Sequence, residues 1–532
     1  MDNKTIIAFA LMIVIYIFFF QKPVQQPASI STNTINSTSP TLPSLDQKKA
    51  EKLDPIKEKI YQLQNENLQI ELNGVGTIEH SSFLKYKKAV GSKDPVETSF
   101  PDGFNESFLQ TPAGLVKWSS STQTDQTITL HGKSGDLLVE RQIQLSPDNY
   151  LVHFSDDLTN SGSQSTKAIA RVKLTHPPLP EVPSTSFLSK IFMPRAEIYE
   201  VVSEVDGSIW REPFLKINHP LEKSGQVLWT GFAQKYFYYG FIPQNVSATT
   251  LKLDNQKDVG YLGELALSEK VLAPGEKANY SYQFYVGPKD LSELKKAAPE
   301  LTEVVDYGSW IGPIARLLLS ILHMFYKIIP NYGVGIILLT ILVKVVLFPL
   351  AFKSAVSMRR LQVVQPKMKE IRDKYKNDKQ RMNTEMMALY KTEKVNPVGG
   401  CLPIFLQMPV FFSLYRVFYA SIEFRQAPFF GWINDLSAHD PYFVTPILMT
   451  ALMWYQTKLT PQPPAMEETE AVQVQRAMMK WMPIVFGAIM IFLPSGLTLY
   501  FLVNALLSLI QQLYLNKHLH LKFPLAGKAI KT

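Results

Sequence analysis

The sequence predicts a multi-domain membrane protein: an α-helical membrane bundle, made of a five-helix core plus an N-terminal anchor, that carries a large extracytoplasmic antiparallel β-sandwich. Three observations carry this reading. Apolar runs of near-bilayer length crowd the C-terminal half, beginning at GVGIILLTILVKVVLFPLAF (333–352). Some 230 residues before them alternate in short apolar-polar runs broken by turn residues. Between the first two C-terminal runs, residues 353–394 hold twelve Lys and Arg against five acids, a net charge of +7.

The elements follow in order. Residues 1–20 contain TIIAFALMIVIYIFFF after Lys4, with no small-x-small site behind it, and read as an uncleaved anchor; a cleaved signal peptide is the competing reading. Residues 21–52 are rich in Gln, Pro, Ser, Thr and Asn, too polar to bury a core, and read as a flexible linker. Residues 53–290 form the β-sandwich. Leu68, Ile70 and Leu72 alternate before a turn, as do Val139, Ile143 and Leu145, and Tyr280, Tyr282, Phe284 and Val286. Its histidines, His80, His131, His153, His176 and His219, lack metal-ligand spacing and read as ordinary sandwich residues. A sugar-processing site assembled in space stays open.

Residues 291–331 read as a helical linker followed by an amphipathic helix along the membrane surface. Trp310, Ile314, Leu317, Ile321 and Phe325 form its apolar face, opposite Arg316, Ser320, His323 and Lys327. Residues 332–520 hold the five-helix core, with spans near 333–352, 402–422, 441–457, 478–493 and 497–515 and a tight turn at Pro494, Ser495 and Gly496. The +7 segment is patterned as a helical hairpin. Met368, Ile371 and Tyr375 make one stripe and Met382, Met386, Leu389 and Tyr390 the other, turning at residues 376–378. These stripes either greet apolar clients or seal the two helices together. The positive excess places this hairpin in the cytoplasm, hence both termini inside and the sandwich outside; residues 521–532 are then a basic cytoplasmic tail.

Composition excludes several functions. The net charge of +8 sits beside apolar spans, where topology accounts for it without specific DNA binding. A single cysteine, Cys401, rules out an intrachain disulfide and a Cys-based zinc site. No Walker, GxSxG, HExxH or GxGxxG motif is present, so the sequence predicts neither an enzyme nor a bound cofactor or metal.

What stands out is Lys344, about eleven residues into its span and roughly 16 Å along the helix, near mid-bilayer. A lysine at that depth costs on the order of 3 kcal/mol, and no acid in the other spans matches it. The expectation is a hydrated, positively charged groove lined by Thr340, Gln407, Asn504 and Tyr500; a lysine paired with backbone carbonyls is the alternative. Arg416, nearer the outer surface, reads as an anchor that can reach Glu423.

Four stretches, QPKMKEIRDKY (365–375), EMMALYKTEKVNPVGGCLPIFLQMPVF (385–411), FRQAPFFGWINDLSAHDPY (424–442) and FLPSGLTLYFLVN (492–504), resemble the YidC/Oxa/Alb insertase family in its long Gram-negative form. The resemblance implies a membrane insertase and chaperone whose groove, open to cytoplasm and lipid, receives polar parts of nascent inner-membrane proteins without nucleotide hydrolysis. It implies work alone or with the SecYEG translocon, and a sandwich of the galactose-mutarotase-like kind. It also implies contact with clients or ribosomes through the basic hairpin and tail, for which Met368, Met382, Met386, Arg359, Arg360 and Lys517 are the candidates. Where the family usually has an arginine, this chain has Lys344 in the frame VKVVLFPL, which keeps the charge and loses the bidentate fork.

Overall fold

The computed structural model describes residues 59–100, 103–179, 199–256, 259–308, 310–376, 378–393, 402–459 and 470–522. The expected anchor (1–20), the linker (21–52) and the tail beyond residue 522 lie outside these, as does Cys401.

Alternation in the N-terminal part becomes antiparallel sheet. Strands β1 (Tyr61–Gln64), β2 (Leu68–Leu72), β3 (Ile78–Lys87) and β4 (Pro95–Ser99) form a four-stranded sheet in chain order. The other fifteen described strands form one large sheet. Towards one end of it, β5 (Leu137–Leu145), β6 (Leu151–Asn160) and β7 (Lys277–Pro288) lie side by side, with Phe154 opposite Ile143 and Tyr282. Every second residue of β5 is buried, so one face meets the core and the other meets water. The two sheets close on an aromatic core: Phe83 stacks on Phe237 at 4.4 Å, and Phe100 meets Tyr239 edge-on at 5.1 Å.

Inside this core lies a buried ion pair. Arg141 of β5 grips Asp156 of β6 with two bonds, Nε to Oδ1 at 2.6 Å and Nη2 to Oδ2 at 2.9 Å. Tyr282 donates to the same carboxylate at 3.1 Å, and a further guanidinium nitrogen donates to the Ser107 carbonyl at 2.8 Å. Trp118 covers the guanidinium at 4.9 Å. With both charges desolvated, the satisfied pair is tolerated whereas either ion alone is not. His176 is also buried. Its Nδ1 donates to the Pro177 carbonyl at 2.8 Å, which leaves Nε2 to accept from Gln234 at 3.1 Å. Burial lowers its pKa to about 4.

Eight α-helices follow among the described residues: α1 (Leu291–Ala297), α2 (Gly312–Ile328), α3 (Tyr332–Lys374), α4 (Lys379–Thr392), α5 (Leu402–Ala420), α6 (Val444–Leu459), α7 (Glu470–Met490) and α8 (Ser495–Lys522). Helix α8 packs on α3, α5 and α6, and α6 packs on α7. At the last contact an added Cβ on Gly487 would strike the Thr450 side chain, so only glycine permits that approach. Among the described residues, Tyr332–Ser357 and Ser495–Leu515 are long and apolar enough to cross a membrane; Lys480–Met490 is apolar but shorter. Ile341, Leu342, Val345 and Val346 on α3, Ile447 and Leu448 on α6, and Leu506, Ile510 and Leu513 on α8 are exposed, a belt that water would penalise and lipid accepts.

Three features go beyond the sequence reading. Helix α3 does not stop where the first apolar run does, near residue 352: it is one 43-residue helix running through Pro349 and Pro366 into the hairpin. A proline deletes a single backbone bond and can be carried where neighbouring groups compensate. The packed face of α2 is Ala315, Leu318, Leu319 and Leu322, whereas Trp310 and Leu317 are 65% and 59% exposed. This helix is apolar on two sides, and periodicity alone merged them. Arg416 lies 4.0 Å from Asp306, while Glu423 is met by His323 of α2 at 3.3 Å. Burial pushes the Glu423 carboxyl up, and its bond to the imidazole raises His323.

The sandwich is fastened to the adjacent end of the helices. Tyr307 and Ser421 share a hydroxyl–hydroxyl bond of 2.8 Å, Arg316 pairs with Glu303 at 2.8 Å, and the Lys235 ammonium sits 4.8 Å over the Tyr419 ring.

Asp156→Ala strands a buried guanidinium and is expected to destabilise the sandwich by about 3–5 kcal/mol; the denaturant midpoint of the full chain in detergent, followed by near-ultraviolet dichroism, checks this. For His176 the folded pKa lies below the unfolded one. The unfolded chain therefore takes up the proton first, and stability falls as pH drops from about 6.5 towards 4, by roughly 3 kcal/mol. The same transition measured for His176→Gln should be flatter across that window.

Candidate functional site: a lysine between two membrane helices

Helix α3 begins with an Asn331 cap, whose side chain accepts from the Val334 amide at 3.1 Å. Its regular turn then sets Thr340 and Lys344 on one face, four residues apart. On α8, Tyr500, Asn504 and Ser508 repeat the same spacing and make a polar stripe about 12 Å long. The two stripes meet. The Lys344 ammonium donates to the Ser508 hydroxyl at 2.6 Å, and that hydroxyl donates onward to the Asn504 carbonyl at 2.7 Å. The lysine is half-buried, and no carboxylate pairs with it among the described residues.

Two turns along, the Gln407 side-chain amide of α5 donates to the Tyr500 hydroxyl, with the tyrosine itself fully buried. Thr340 is buried as well and returns its hydroxyl to the Ile336 carbonyl of its own helix at 2.6 Å, so it shares the Lys344 face without bonding to it. Of the five expected lining residues, Lys344 and Asn504 thus meet through a third group and Gln407 and Tyr500 meet directly. The third group, Ser508, was missed. The signal for it was available, because it stands one helical turn beyond Asn504 on the same stripe.

Chemically, a serine hydroxyl solvates an ammonium without cancelling its charge. One of three N–H donors is spent on Ser508, leaving a positive site with two donors to offer. Nothing here resembles a metal centre: among the described residues no group of three or more His, Cys, Asp or Glu side chains could hold an ion.

The ends of the module are built differently. Next to the sandwich, Asp440 accepts from the Thr445 amide and hydroxyl at 2.8 and 2.7 Å and from Trp432 Nε1 at 3.0 Å, and Thr445 meets Thr498 of α8 at 3.1 Å. The Ser495 hydroxyl ties α8 to the Asp435 carbonyl at 2.8 Å. At the far end, α3 and α4 form the hairpin, turned at Tyr375–Asp378, with Asp378 capping α4 through the Arg381 amide at 2.9 Å. Val364, Met368 and Met386 are buried between these helices, with Met382, Leu389 and Tyr390 packed on them. Arg360 and Lys517 are exposed; the side chain of Arg359 lies outside the described set.

Comparison with known proteins adds the lineage. The family model of the 60Kd inner membrane protein matches residues 324–522, and that of the YidC periplasmic domain matches residues 61–321. A relative from Syntrophus aciditrophicus (strain SB), named membrane protein insertase YidC, is 44% identical over 316 residues, 59% of this chain and 57% of that protein. Another with the same name, from Hahella chejuensis (strain KCTC 2396), is 34% identical over 478 residues, 85% of this chain and 81% of that protein. The alignments to the first relatives span little more than half of their length. A crystal structure of an active YidC insertase with its first transmembrane domain resolved aligns at 20% identity and a TM-score of 0.36, covering 87% of this chain and 95% of that one. The chain belongs to the YidC family of 60Kd inner membrane proteins, with the β-sandwich as its periplasmic domain.

Proposed function

We propose that this protein inserts and helps fold nascent inner-membrane proteins, alone or with the SecYEG translocon, by giving their polar segments a positively charged place to reside inside the membrane. The observation that carries the reading is the Lys344–Ser508 contact: a cation held at mid-span by a neutral hydroxyl, with no acid among the described residues to quench it. A closed ion pair would be inert towards a client; an ammonium with unspent donors can take a client carboxylate or backbone carbonyl. The barrier being lowered is that of carrying unsatisfied polar groups through hydrocarbon, several kcal/mol for each. Binding energy and hydration lower it, so no nucleotide is consumed.

The hairpin belongs on the cytoplasmic side in this reading, since the sandwich is periplasmic and α3 carries the chain to the opposite end. Its exposed cations, Arg360 among them, and Lys517 of α8 then face the ribosome and the emerging chain. Met368 and Met386 act by keeping the hairpin rigid, because their side chains are spent on its core.

Reconstituted into liposomes with a short client that needs no translocon, Lys344→Ala is expected to lower the insertion rate roughly tenfold, equivalent to ~1.4 kcal/mol. Lys344→Arg should stay near the native rate. Unchanged insertion by the alanine form would remove the charge from the mechanism. A second experiment moves the cation instead of deleting it. In the double variant Lys344→Ser with Ser508→Lys, the ammonium reaches the same place from α8, and recovery of most of the activity lost by Lys344→Ser alone is expected. Failure of the folded double variant would mean that the side chain, not the position of its charge, is required.

A further inference from the structure

The turn between β3 and β4 has no part in the groove, yet it is the most basic exposed turn described on the periplasmic domain. Lys85, Lys87, Lys88 and Lys93 are all exposed within nine residues, with the acid Asp94 closing the turn and Glu97 on the strand that follows. The turn is well formed: the Lys88 amide bonds to the Asp94 carbonyl at 2.9 Å, the Ser92 amide bonds to the Ala89 carbonyl at 3.1 Å, and Gly91 adopts φ +81°. At its tip Val90 is 52% exposed, and Leu84 is exposed on the approaching strand.

Its location is what gives these lysines meaning. The Lys87 carbonyl accepts from Gln426 at 3.0 Å and the Lys88 carbonyl from Arg425 at 3.3 Å, so the turn rests on the loop that follows α5. That loop marks the edge of the membrane module. The Phe429 carbonyl accepts from Asn331, the cap of α3, at 3.0 Å, and the same loop exposes Phe430 (79%), Trp432, Tyr442 (68%) and Phe443. Exposed aromatic rings at the end of apolar helices belong at the level of lipid headgroups. A turn hydrogen-bonded to this loop stands at that level too. Lysine stems can lie along the interface with their ammonium groups on phosphate oxygens, while an apolar tip dips below.

We propose that residues 85–93 form a docking surface for anionic phospholipid headgroups on the periplasmic face of the membrane, with the four lysines supplying the attraction and Val90 entering the headgroup layer. The contact would hold the sandwich against the bilayer beside the groove instead of leaving it free in the periplasm. It is independent of how insertion works.

The test uses the full chain in nanodiscs, with Cys401→Ser and a nitroxide on Val90→Cys. Accessibility to a water-soluble paramagnetic relaxer is compared with accessibility to oxygen. In discs of phosphatidylcholine and phosphatidylglycerol the oxygen-to-water-soluble ratio should rise at least twofold over discs of phosphatidylcholine alone. Replacing all four lysines by glutamate, and separately by glutamine, should abolish that rise. The glutamine form guards against misfolding by charge reversal, and protease resistance of both forms confirms an intact sandwich. An equal ratio in the two lipids, or one indifferent to both sets of substitutions, overturns the proposal. Equal protection by inorganic phosphate over phosphatidylcholine discs also overturns it, by making the ligand a free anion.

Discussion

A cation in hydrocarbon must be solvated, and the membrane half of this molecule is organised around that requirement. Lys344 cannot be left to lipid, and among the described residues no carboxylate neutralises it. It therefore needs a polar surface from another helix, which α8 supplies through Ser508 and Asn504. That need fixes the rotation of α8 against α3, turns Leu506, Ile510 and Leu513 outward, and brings Tyr500 round to Gln407 of α5. Tyr307, Arg316 and Lys235 then seat the periplasmic domain on the ends of the same helices.

Arg141 and Lys344 show how the same physics yields opposite results. Arg141 lies in a water-formed core and is fully spent on Asp156, Ser107 and an aromatic lid. Such a group is structural, because its charge is neutralised and each of its three nitrogens has a partner. Lys344 has a neutral partner and donors in reserve. One arrangement locks a fold; the other leaves a site.

Much of this was readable beforehand, for identifiable reasons. A period of two in Leu68, Ile70 and Leu72 survives because each sheet keeps one wet face, and the spans at α3 and α8 survive because length and apolarity suffice to mark them. Lys344 was conspicuous for being polar where nothing polar is affordable. The errors share a cause, which is that a sequence does not say what stands opposite. Helix α2 presents apolar residues to protein on one side and outward on the other, and the face named from its pattern left out Ala315, Leu318, Leu319 and Leu322. Arg416 found Asp306 rather than Glu423 because the periplasmic domain brings that acid in from over a hundred residues away. Ser508 was overlooked because serine is unremarkable in a membrane helix until a lysine reaches it.

That unbroken helix has a mechanical consequence. From Met368 in the hairpin to Lys344 is 24 residues of one rod, roughly 36 Å, with no flexible loop between them. A load arriving on the hairpin is transmitted to Lys344 as a tilt or twist of α3, and Pro349 and Pro366, each lacking one backbone bond, are the compliant points on the way. The hairpin is thus a handle, and what it turns is the bearing of the lysine against its serine.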